Sequence, residues 1–185
     1  ARFESEIESG AFRPYREVLR GVMDAFARHF SISLTGEERD VLVNSLPGWP
    51  PFPDTRGALG QLAQHFKLAV ISNVDVVLFA KTQKRLGVKF HWVITAQEVG
   101  SYKPSLQNFQ RALDVIGEAP ERVLHVAQSL YHDIAPAKKL GLSTVWVNRR
   151  KGKTGTGATP LAEARPDLEV ANLAELAAMI EKSFR

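Results

Sequence analysis

The sequence predicts an α/β fold in which a Rossmann-like parallel sheet follows a purely helical N-terminal segment. Three observations predict it. From Leu68 onward, apolar runs of strand length alternate with helical patterns, the signature of parallel βαβ units. Polar clusters end three of these stretches: Ile71-Ser72-Asn73, Tyr102-Lys103-Pro104-Ser105 and Gln128-Ser129-Leu130-Tyr131-His132-Asp133, about thirty residues apart. Nothing before Leu68 reads as a buried strand carrying an acidic residue at its end. In an open parallel sheet the carboxyl ends of the strands share one edge, so residues just past each strand converge on one crevice. A hydroxyl, an ammonium and a carboxylate are therefore expected to meet there.

Taken in order, the apolar residues from Phe3 to Phe30 fall at helical spacing, interrupted by Gly10 and Pro14, and predict two helices. Thr35, followed by Glu37 and Glu38, predicts an N-cap opening a third helix through Ser45. Pro47, Pro50, Pro51 and Pro53 fix φ and remove donors, so an extended connector should separate helical segment from main domain. A helix is expected over 55–66, and Leu68 to Ser72 reads as a strand buried on both faces. Then come a helix over 75–86 stopped by Gly87, a strand over 92–95, a helix over 106–116 and a strand over 123–127. A helix over 134–140 stopped by Gly141, a strand over 144–148, a flexible loop over 152–160 and a helix over 173–180 complete the chain. Right-handed crossovers place the helices on the sheet faces and leave the strand ends open.

Composition narrows the chemistry. With 185 residues, 44% of them hydrophobic, the chain has the material for one ordinary core. The net charge of +4 comes from 24 basic and 20 acidic residues, with the basic ones mostly spread singly and Arg149-Arg150-Lys151-Gly152-Lys153 as the local cluster. That short cluster in a Gly-rich stretch reads as solvated, so no nucleic-acid partner is expected. The absence of cysteine excludes disulfides, thiolate metal sites and a thiol nucleophile. No apolar run approaches the roughly 18 residues that span a bilayer, and no signal-peptide pattern opens the sequence. A cytoplasmic protein without a membrane partner is the expectation. The oligomeric state stays open, a homodimer being the commonest assembly.

Together, Ser72-Asn73 after a strand, the Gly100-Ser101-Tyr102-Lys103-Pro104-Ser105 run and the segment from Val126 to Arg150 resemble motifs two, three and four of the haloacid dehalogenase superfamily. The closest resemblance is to its type II haloacid dehalogenase-like branch. Residues 1–49 are similar to that family's helical cap, which leaves 50–185 as the α/β core. The resemblance implies a hydrolase acting on a small anionic substrate. An aspartate at the end of the first, central strand attacks carbon or phosphorus, and water hydrolyses the resulting ester. Lys103 is then implied to stabilise the nucleophile and the developing negative charge. Ser72 and Asn73 would bind the substrate's carboxylate or phosphate. Asp133 would hold Lys103 or position water, while Tyr102, Gln128, Ser129 and His132 would line the pocket and Trp49 would wall it from the cap side. Plainer roles exist for each: Ser72 ends a strand, Asn73 makes a turn, and Asp133 favours a helix N-terminus.

Two departures from the family pattern bear on function. Phosphatases of the superfamily carry an acid for magnesium where this chain has Gln128, and magnesium prefers carboxylates. That favours metal-independent dehalogenation of a 2-haloacid, with no cofactor, over a magnesium-dependent phosphatase. Dehalogenases, however, place an asparagine where Leu130 stands. The second departure is the first motif: the expected Asp-x-x-Gly-Thr strand should precede the cap, and Ala1 already lies within the cap helices. Adjacent strands lie about 4.8 Å apart, so a missing central strand leaves ladder groups without partners at about 1 to 3 kcal/mol each. The expectation is a truncated chain, with strand donation by another chain or closure of the sheet as alternatives. Asp54 and Asp75 are the nearest replacement nucleophiles, and Asp75 reads better as the cap of its own helix. A catalytically inactive binding or assembly module is the rival reading from another class.

Overall fold

The computed structural model describes residues 2–153, 160 and 162–184. Most of the loop expected over 152–160 therefore lies outside the described residues.

The helical segment begins with α1 (Arg2–Glu8) and α2 (Tyr15–Phe30), which pack on each other. Gly21 permits the approach, since a Cβ there would meet Cδ1 of Ile7 at 3.1 Å. Pro14 precedes α2, with a preset φ and no N–H to satisfy. Thr35 is the N-cap that the sequence predicts, and it closes a capping box with Glu38. The single helix expected from there to Ser45 is instead two, α3 (Gly36–Arg39) and α4 (Val41–Ser45). Asp40 sits at the break with its carboxylate drawn to the guanidinium of Arg20 on α2. A 3₁₀ turn (Leu46–Gly48) leads into the Pro-rich connector.

The α/β part runs α5 (Thr55–Leu62), β1 (Ala69–Ser72), α6 (Val76–Leu86), β2 (Trp92–Thr95), α7 (Ala96–Val99) and α8 (Leu106–Ile116). It continues through β3 (Leu124–Ala127), a π turn (Leu130–Ile134), α9 (Ala135–Lys139), β4 (Ser143–Val147), β5 (Leu168–Val170) and α10 (Leu173–Ser183). Among the described residues the pairings are all parallel and form two sheets, β1-β2 and β3-β4-β5. Among the described residues no strand pairs β1 with β3, so the sheet has not closed over the interval between them.

That interval corrects one expectation. Every residue of β1 and of β3 is half-buried or exposed, whereas the interior of β4 is largely buried. A strand is buried on both faces and edges only when neighbours flank it, and among the described residues β1 has one neighbour, β2. The largest core cluster accordingly lies around β4, where Val145 and Val147 meet Val170, Ala58, Leu176 and Ala177. Asp167 secures that sheet by accepting the N–H of Thr144 at 2.7 Å and the Lys138 ammonium at 2.7 Å. Phe109, Ala137 and Leu142 pack a second cluster against Ile71 of β1.

Candidate active site

Three separate segments build the site. Thr95 ends β2 and caps α7 through Glu98, and Gly100 adopts φ +70° to stop that helix and turn the chain toward Lys103. Asn73, just past β1, grips the Lys103 main chain on both sides: its Oδ1 accepts the N–H at 2.8 Å and its Nδ2 donates to the carbonyl at 3.1 Å. Thus fixed, Lys103 extends its ammonium to Oδ1 of Asp133 at 2.7 Å and to the main-chain oxygen of Ile71 at 3.1 Å. One side chain thereby links the end of β1 to the turn after β3.

Asp133 is buried within the π turn, whose first residues are held by Ser129. Ser129 Oγ accepts the His132 N–H at 2.9 Å and lies 3.1 Å from His132 Nδ1. A second imidazole, His125 on β3, places Nε2 at 3.2 Å from the same Oδ1 of Asp133. Burial alone would push the Asp133 carboxyl up, but the Lys103 ammonium and the His125 hydrogen bond outweigh it and hold the group well below the usual carboxylate range. Burial has the opposite sign for His132, whose imidazole is pushed down and stays neutral near pH 7, with Lys103 acting in the same direction and Asp133 against it.

A cavity of about 330 Å³ lies where α1 meets this rim, lined among others by Glu8, Phe12, Tyr102, Lys103, Tyr131 and His132. Tyr102 forms part of the floor: it is buried against Val18 and Ala96, and its hydroxyl donates to the Arg13 carbonyl at 2.8 Å. Burial and the carboxylate of Glu4 push the Glu8 carboxyl up to about 8, against the pull of Lys103.

The structure brings Lys103, Asp133 and Asn73 into one bonded group and puts Tyr102 and His132 on the cavity wall. Ser72 closes β1 opposite Thr95, and Ser129 lies beneath His132. Gln128 is exposed and gives its carbonyl to Trp146 Nε1 at 2.9 Å. Trp49 does not wall the cavity. Arg85 of α6 donates to the Pro47 carbonyl at 2.7 Å and holds the hinge there, leaving Trp49 54% exposed and outside the lining.

Both replacement nucleophiles are committed elsewhere. Asp75 does not cap its own helix; it accepts the N–H groups of Tyr15 at 2.7 Å and Arg16 at 3.1 Å, the first turn of α2. Asp54 takes the Arg149 guanidinium at 2.8 and 3.1 Å and the N–H of Leu173 at 2.8 Å. Sequence reasoning also missed two residues of the site. His125 was legible as a strand histidine, yet only the turn after β3 folds Asp133 back onto it. Glu8 reads as an ordinary charge on an amphipathic helix.

The family model for haloacid dehalogenase-like hydrolases matches residues 3–141. The chain belongs to this family. Within it, the haloacid dehalogenase-like hydrolase is 31% identical over 153 residues to a glyceraldehyde 3-phosphate phosphatase of Methanothermobacter thermautotrophicus, covering 75% of this chain and 68% of the relative. It is 30% identical over 132 residues to a phosphoserine phosphatase of Thermus thermophilus, covering 69% of this chain and 50% of the relative. Among solved structures, L-2-haloacid dehalogenase from Xanthobacter autotrophicus with chloropropionic acid covalently bound superposes with a TM-score of 0.82 at 18% identity, over 97% of this chain and 83% of that one. At that identity the likeness speaks for the fold. Sequence relatives include both phosphatases and, at 25% identity over 143 residues, an (S)-2-haloacid dehalogenase of Pseudomonas sp., so more than one reaction is represented around this chain.

Proposed function

We propose that this hydrolase displaces halide from a small 2-haloacid through a carboxylate ester. The observation that carries the reading is the Lys103 ammonium, held at 2.7 Å by Asp133 and fixed at the main chain by Asn73, between the end of β1 and the turn after β3. A carboxylate nucleophile is proposed to reach this point on a strand seated between β1 and β3. Its oxygen forms a bond to C2 as the carbon–halogen bond breaks, the halide leaving with the electron pair and C2 inverting. Water then attacks the ester carbonyl carbon, returning the carboxylate and releasing the 2-hydroxyacid and a proton. Lys103 stabilises the nucleophile and the developing charge, at little reorganisation cost because it is already in place.

The donors present do not suit a magnesium ion. Gln128 offers a neutral, exposed amide, and the charge of Asp133 is balanced by Lys103. No step is routed through a metal. The two phosphatase relatives favour a second reading, a small phosphoester attacked at phosphorus.

Halide and phosphate release by the full-length protein, each with and without a chelator, decides between them. Halide release indifferent to chelation supports dehalogenation. Phosphate release abolished by chelation supports the phosphatase, and release of neither from the full-length protein defeats both in favour of a binding module.

A further inference from the structure

The cavity has a core wall, with Lys103, Tyr131 and His132, and a cap wall that carries one carboxyl, Glu8, the last residue of α1. The neighbouring carboxyls are all engaged: Glu4 accepts the Tyr15 hydroxyl at 2.8 Å, Asp75 holds the start of α2, and Asp133 holds Lys103. Glu8 differs. It is half-buried, faces the cavity, and among the described residues its carboxyl has no hydrogen-bond or ion-pair partner. The carboxyl is not sealed from solvent, since Asn108 Oδ1 is the buried polar side-chain atom left without a partner among the described residues, so a ligand entering the cavity can take the place of water against Glu8.

We propose that Glu8 is a specificity-determining residue of this pocket, donating an O–H hydrogen bond in its protonated form to an anionic oxygen of the substrate. This rests on reading the cavity as the site of a hydrolase for small anions. The charge balance requires the neutral form. Among the described residues Lys103 is the one lysine or arginine lining the cavity, and Asp133 already balances it, so an ionised Glu8 would oppose an incoming anion. A neutral acid removes that repulsion and adds a donor.

The surroundings keep Glu8 neutral. Besides burial, the carboxylate of Glu4 on its own helix opposes ionisation and Lys103 favours it, while the Tyr15 phenol from α2 and the Tyr102 phenol from the loop after α7 are both shifted upward and stay uncharged. With its carboxyl pushed up to about 8, Glu8 is the acid at neutral pH. An anion bound beside it raises that value further. Affinity should hold below about pH 8 and fall above it, approaching tenfold per pH unit as the competent fraction declines.

The test compares wild type with Glu8→Gln and Glu8→Ala from pH 6 to 10. Binding of lactate and of inorganic phosphate to the chain is measured by calorimetry, and kcat and KM for 2-chloropropionate and a simple phosphomonoester in the full-length protein. Wild-type Kd and KM should rise above pH 8. Glu8→Gln, a permanently neutral donor, should stay flat across that range at the wild-type neutral-pH value, and Glu8→Ala should raise KM about tenfold at pH 7 with kcat changed less than about threefold. A structural role for Glu8 would not move the alkaline limb. If Glu8→Ala fails to fold, the Glu8→Gln profile alone decides. A wild-type profile without the alkaline rise, or a Glu8→Gln profile that keeps it, overturns the assignment. If anions bind with the Glu8-dependent rise but neither substrate turns over, the hydrolase reading falls and the Glu8 contact stands; if neither anion binds, both fall.

Discussion

His125 Nε2 and the Lys103 ammonium converge on a single oxygen of Asp133, at 3.2 and 2.7 Å. The Asp133 and Lys103 side chains are only 9% and 13% exposed, so the carboxylate depends on these two donors and not on water for its charge compensation. Removing one partner of a buried pair is costlier than removing both, because the survivor stays buried and uncompensated.

Lys103→Met should therefore destabilise the chain by about 3 to 5 kcal/mol, read from the shift in urea midpoint at constant slope. Adding Asp133→Asn to it should recover part of the loss. A single variant within about 1 kcal/mol of wild type would show the pair to be solvated after all.

Acid sensitivity follows from the depressed Asp133 carboxyl. The unfolded chain protonates aspartate near pH 3.9 while the native group resists, so the stabilisation is complete above that value and lost as pH falls toward the native one. Unfolding free energies from about pH 5 downward to about pH 2 should drop more steeply for wild type than for Lys103→Met/Asp133→Asn. Equal slopes would place the acid lability in other carboxylates.

Asp75→Ala removes the acceptor for two N–H groups at the start of α2, and Asp75 is wholly buried. A loss of about 1 to 3 kcal/mol is expected, concentrated as faster amide exchange in the first turn of α2. Asp75→Asn, which keeps one acceptor oxygen, should fall between. Turnover by Asp75→Asn at wild-type kcat would confirm that this carboxylate is not the nucleophile; its complete loss with α2 still protected from exchange would revive that role.

Asp54→Ala frees Arg149 and the Leu173 N–H together. Exchange should rise at the start of α10 and leave β1 and β2 unchanged. Protection unchanged at Leu173 and the residues after it would mean that packing against α5, not the carboxylate, seats the helix.

The order of elements was readable because each short apolar run from Val70 to Val147 ends in turn residues or glycine, and the meeting of Lys103 with Asp133 followed from strand ends sharing an edge. What failed depended on partners distant in sequence. Nothing local at Asp40 announces that Arg20 will draw its carboxylate aside and divide a helix. Asp75 looks like the cap of the helix it precedes, and only the docking of α2 redirects it. The three-residue β5 is too short to carry a pattern, and it is paired because β4 offers it an edge. Apolar content suggested a covered β1, yet cover comes from neighbours, which composition does not encode.

The link between α1 and α2 is gripped twice, by the Tyr102 hydroxyl on the Arg13 carbonyl and by Asp75 on the N–H groups of Tyr15 and Arg16. Those fasteners make residues 13–16 a fulcrum tied to the strand ends. The seven-residue α1 is the lever beyond it, with Glu8 riding on the arm. Widening the cavity then calls for a swing of that short arm, while the longer α2 remains anchored.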